Sequence, residues 1–197
     1  MLSKSAGIAV LTFSAGLLLA TVAQAKTIKC TATNRGTAVS IGGSFSFDGS
    51  TTSIAALNTF AGSIECEHKH SFSGDFHGQG VNEYSTGTTP CKFTGIFGES
   101  ENGFDTKLVG IVYAIDQENG STFWLGKSES GCFSPSTGTF FATETDDMVA
   151  GTGVFEDVTG TATYTVTGFV LGPPPATGAL GLFEWFQIKG TNTLTIP

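Results

Sequence analysis

The chain has 197 residues, with nine Lys and Arg against 17 Asp and Glu, for a formal net charge of −8. Its 27 glycines and 17 phenylalanines stand beside only 13% charged residues, a composition that argues against a helical protein and suits a pleated sheet broken by turns. The acidic balance excludes nucleic acid and anionic membrane surfaces as partners, because both select basic patches.

Lys4, an apolar run over 6–22 and the small residues of Ala23-Gln24-Ala25 form the tripartite pattern of a secretory signal peptide. The run is about 17 residues, at the short end of what crosses a bilayer, and no basic cluster follows it. The expectation is therefore a signal peptide over 1–25, a single domain over 26–197 and a secreted or periplasmic protein without an integral membrane segment after cleavage. Cleavage removes one basic residue and no acidic one, leaving 172 residues at a net charge of −9, enough for one core. Cys30, Cys66, Cys91 and Cys132 all survive it. An even count in an oxidising compartment predicts two disulfides, with three connectivities open.

In chain order, Ile28, Cys30 and Ala32 alternate with polar residues and predict a strand with one buried face. Asn34-Arg35-Gly36 reads as a turn, and Val39, Ile41, Gly43, Phe45 and Phe47 as the buried face of a second strand, closed by the turn Asp48-Gly49-Ser50. Residues 51–60 admit a short helical turn capped by Ser53. Alternation returns with Ile64, Cys66, His68 and His70 on one face. Thr86 to Pro90 is a loop. Leu108, Val109, Ile111, Val112 and Tyr113 crowd into a strand predicted to be buried on both faces. Asp116 to Gly120 is a hairpin turn, answered by Phe123, Trp124 and Leu125. Later strands are expected over Thr137 to Thr145, Thr161 to Phe169 and Leu180 to Ile196. Turn signals roughly every ten residues predict an all-β protein, an antiparallel β-barrel with a β-sandwich as the alternative.

The segment Gly151-Thr152-Gly153-Val154-Phe155-Glu156-Asp157-Val158-Thr159-Gly160-Thr161-Ala162 resembles a motif of an uncharacterised bacterial secreted family. There it joins two late strands of a barrel similar to that of allene oxide cyclase and the dirigent proteins. The resemblance implies a small antiparallel barrel with a glycine-flanked corner, Gly160 turning the chain and Phe155 buried. It carries no catalytic set onto this chain, and fold alone does not define function.

Three groups of residues can carry chemistry. His68 and His70, two apart on a predicted strand, can grip one metal ion if Cys66, His77 or a carboxylate completes the set; no other cofactor is implied, and solvated strand positions are the plainer reading. Glu99 and Glu101, Asp116 and Glu118, Glu144 with Asp146 and Asp147, and Glu156 with Asp157 offer oxygens to calcium, but without the spacing of a calcium loop they read as solvated turn charges. Phe97, Tyr113, Trp124, Phe140 and Trp185 are candidates to line a lumen holding a small hydrophobic molecule. The function expected is a non-catalytic binding or structural barrel whose cavity lacks convergent charged groups. The alternatives are a lumen-based cyclase or isomerase, with ionisable groups pointing inward, and a metal-dependent enzyme using His68 and His70. Oligomeric state is not specified by these residues.

Overall fold

A computed structural model describes residues 25–43, 52–171 and 183–197. Residues 1–24 of the expected signal peptide, the Phe45 and Phe47 positions and the expected turn Asp48-Gly49-Ser50 lie outside the described residues. Among these residues the chain forms eight antiparallel strands: β1 (Lys26–Gly43), β2 (Thr52–Cys66), β3 (Gly74–Thr94), β4 (Ser100–Gln117), β5 (Gly120–Phe133), β6 (Thr139–Gly151), β7 (Thr159–Leu171) and β8 (Phe183–Ile196). Each pairs with its neighbour in sequence, and β8 returns to pair with β1 from Lys26↔Ile196 to Val39↔Phe183. The ladder is a closed barrel, whereas a sandwich would leave sheet edges unpaired.

Several local expectations change. Asn34-Arg35-Gly36 is not a turn: β1 runs straight through it, paired to both neighbours. Keeping the phase of Ile28 and Ala32 sends Asn34 and Ala38 inward and leaves Val39 and Ile41 exposed. The expected helical turn at 51–60 is strand β2. Thr86 to Pro90 lies within β3, at an irregularity of register. The central run of β4 is half-buried: Ile111, Tyr113 and Ile115 point in, while Val109 and Val112 are exposed.

The glycines explain how so many rings fit inside. Phe60 stands opposite Gly36 and Gly78, Tyr113 opposite Gly80, Phe140 opposite Gly168, and Tyr164 opposite Gly190. A Cβ at Gly78 would meet the Phe60 ring at 2.1 Å. Pairing a large inward residue with none on the next strand is how a small barrel fills its taper.

One end of the barrel is closed. Two short 3₁₀ turns, His70–Phe72 and Gly153–Phe155, bring Phe72 and Phe155 together at a ring separation of 5.0 Å, both buried. The turn after β6 occupies the segment singled out by resemblance, but the left-handed residues there are Gly153 and Asp157, not Gly160. Disulfide Cys30–Cys66 joins registered partners on β1 and β2 at this end. Cys91–Cys132 ties β3 to β5 across the strand between them.

Candidate functional site in the barrel lumen

Above the plug, the lumen changes character. Inward positions that continue the apolar alternation are occupied by Asn34 on β1, Asn58 on β2, Asn82 on β3, Glu144 and Asp146 on β6, and Asn192 on β8, all buried. Glu129 stands opposite Glu144 in register, and Glu184 opposite Ala38, so both share the inward face. A cavity of about 60 Å³ opens among Asn34, Asn58, Asn82, Glu144, Asp146 and Glu184. Phe60, Tyr84, Tyr113, Phe140, Tyr164 and Phe186 supply its walls.

The polar groups form a chain. The Tyr113 hydroxyl donates to Asp146 Oδ2 at 2.5 Å. Tyr164 is hydrogen-bonded to Tyr113 and Asn192, and Asp146 to Glu144. The remaining atoms lack protein partners: Asn34, Asn58, Asn82 and Asn192 Oδ1, Glu129 Oε2, Glu144 Oε1 and Asp146 Oδ1. All are oxygens. Every Lys, Arg and His among the described residues is exposed except Lys69, which lies over the Phe72 ring.

Burial without a cation raises the carboxyl pKa values. Desolvation pushes Glu184 up to about 7. Desolvation, with the neighbouring Asp146 and Glu184 charges added, pushes Glu129 up to about 8, against a hydrogen bond from Thr106. Glu144 and Asp146 are both raised, chiefly by burial. The Asp146 charge adds to this at Glu144, whereas the Tyr113 hydroxyl partly offsets it at Asp146. At neutral pH the cluster therefore retains protons, and it can donate, accept or exchange them.

The sequence candidates divide. Tyr113 and Phe140 line the cavity. Trp124, 1% exposed, packs lower in the core: it stacks on Tyr113 and donates Nε1 to Thr122 Oγ1 at 2.8 Å. Phe97 is not in the lumen: it is 80% exposed in the turn after β3. Trp185 is also misplaced by the expectation, because Phe186 holds the inward phase and Trp185 stacks on Phe169. Strand β2 ends at Cys66, His68 lies in a turn at φ 59°, and His70 begins a 3₁₀ turn. The period-two geometry expected of these histidines is therefore absent, and among the described residues no three His, Cys, Asp or Glu side chains gather to hold a metal. Glu144 and Asp146 were expected to be solvated turn charges and are instead buried on β6. Glu101 is buried too, accepting from Ser134 Oγ at 3.0 Å.

The signal for the acidic pair was present in the period-two run Phe140, Ala142, Glu144, Asp146, Met148. Ending the expected strand at Thr145 and reading Glu144, Asp146 and Asp147 as solvated turn charges hid it.

Comparison of the chain with family models, with curated proteins and with solved structures finds no match. The functional reading rests on the lumen itself.

Proposed function

We propose that this is an exported binding barrel that holds one small molecule in its lumen, apolar over most of its body and polar where it meets the Asn and carboxyl layer. The observation that carries this reading is the set of buried oxygens around the cavity with no protein partner. A buried acceptor left without a donor costs about 1–3 kcal/mol, so a layer of them is an expensive way merely to fill a barrel. An eight-stranded barrel is wide enough for one small ligand. Export is supported by the signal-like segment at 1–25 and by the two disulfides. No helix among the described residues is long and apolar enough to cross a membrane.

Native mass spectrometry of the protein from the exported fraction, compared with its denatured mass, tests the reading. An added mass lost on denaturation is expected. A bare polypeptide that also takes up nothing from a panel of small aromatic compounds overturns it.

The ionisable groups favour a second reading, a cyclase or isomerase that moves a proton through the same lumen. Glu184, held near neutrality, is suited to general acid–base work. Recovering the bound compound after incubation in D₂O separates the two. A binder returns it unchanged, and an isomerase returns it deuterated at carbon or rearranged.

A further inference from the structure

We infer that the ligand is a small organic cation, an amine on an apolar body, seated between the Glu144–Asp146 pair and the Asn34, Asn58 and Asn82 oxygens. This deepens the lumen-binding reading and rests on it.

The first argument is the direction of the missing hydrogen bonds. Each orphaned atom facing the lumen layer is an oxygen: four amide oxygens, which only accept, and three carboxyl oxygens, which accept once ionised. A ligand that satisfies them has to bring donors. An ammonium brings three and has no acceptor to compete.

The second is charge. Glu129, Glu144, Asp146 and Glu184 face inward, and the exposed basic side chains leave them without a counter-charge. Buried carboxylates are tolerated when paired and costly when not. An anionic ligand would add to the repulsion. A neutral one would leave the acids protonated, whereas a cation gives them the partner that the fold withholds.

The third is the wall. Phe60, Tyr113 and Tyr164 present ring surface beside the acidic pair, and aromatic faces attract a desolvated cation while also burying its apolar body. A bare metal ion has no apolar body for these rings to bury and would lack a set of three ligands among the described residues.

Binding a cation to carboxyls that hold protons must release those protons. Affinity therefore rises with pH across the range where the acids ionise, up to about tenfold per pH unit for each proton released.

The test is calorimetric titration of the full exported protein with four probes of one shape: phenethylamine, its trimethylammonium analogue, phenethyl alcohol and phenylacetate. The amine is expected to bind at least tenfold more tightly than the alcohol, and phenylacetate weakest. The amine Kd should fall at least tenfold from pH 5.5 to 8.0, with proton release seen as a buffer-dependent heat. The trimethylammonium probe, whose charge is fixed, should show the same pH trend. In a Glu144→Gln/Asp146→Asn variant the amine preference should vanish while alcohol binding persists, which shows an intact lumen. Alcohol binding equal to amine binding, or tightest binding of phenylacetate, overturns the amine inference and leaves the binding barrel standing. Failure of all four probes overturns both.

Discussion

The Tyr113 hydroxyl on β4 reaches Asp146 on β6 at 2.5 Å, although β5 lies between their strands. The bond passes over the inner face of β5 beside Trp124, whose ring lies parallel to Tyr113 at 6.2 Å. Two inward side chains thus tie alternate strands of one wall over the inner face of β5, and the apolar plug below them meets the polar cavity at this bond.

Tyr113→Phe keeps the ring and the stack and removes the hydroxyl with its bonds to Asp146 and Tyr164. Asp146 Oδ1 already lacks a partner, so the variant leaves this carboxyl with its Glu144 bond alone. A loss of about 1–3 kcal/mol is expected, read from the urea midpoint with an unchanged slope. Because the hydroxyl favours the ionised carboxylate, its loss should raise the Asp146 pKa further, seen by NMR titration of the side-chain carboxyl carbon. An unchanged midpoint would mean that the bond contributes no net stability.

Stability should fall as pH rises. Glu184 and Glu129 have folded pKa values of about 7 and about 8, above those of an unfolded glutamate. The folded state binds more protons than the unfolded state over this range, so unfolding free energy declines from about pH 4.5 through pH 8, and Glu144, pushed up to about 10, carries the decline further. Glu184→Gln and Glu129→Gln should each stabilise the ligand-free protein at pH 8.5 and change little at pH 4.5. Thermal unfolding of the three proteins at both pH values checks this. A wild type more stable at pH 8.5 than at pH 5 would contradict the burial of these groups.

The all-β class was legible because Thr, Phe and Gly recur at strand and turn spacing, whereas closure is made by β8 pairing back onto β1. The inward polar layer was harder to see. Asn34 and Asn58 resemble turn residues in isolation; only the unbroken phase from Ile28 through Ala32 to Ala38 marks Asn34 as a core position. Glu144 and Asp146 were hidden by the same rule, since charges are seldom placed in a core. Trp185 and Phe186 differ by one residue, and one step reverses a side chain's face, so aromatic content alone did not show which ring enters the lumen. The disulfide pairing depended on register: Cys30 and Cys66 are direct partners across β1 and β2.

The glycine–ring pairing gives a contrast between two glycines. Gly78→Ala drives a methyl into the Phe60 ring, at 2.1 Å from its nearest atom, and should cost about 1–3 kcal/mol by overpacking. Gly110 has open space where its Cβ would stand. Gly110→Ala should be neutral or slightly stabilising, since alanine reduces the freedom of the unfolded chain. Denaturant midpoints of the two variants decide it. Equal effects would remove the claim that inward glycines exist to seat aromatic rings.

The two tryptophans should report differently on the lumen. Trp124 is buried and stacked on Tyr113, a cavity wall, while Trp185 stacks on Phe169 and does not line the cavity. Occupancy of the cavity should therefore perturb the emission of Trp124 and leave that of Trp185 nearly unchanged. With phenethyl alcohol or phenethylamine as the probe, Trp185→Phe should keep the fluorescence change and Trp124→Phe should lose it, at equal calorimetric affinity. A signal that follows Trp185 instead would put the ligand on the outer wall of β7 and β8, and the cavity among Asn34, Asn58 and Asp146 would no longer be its site.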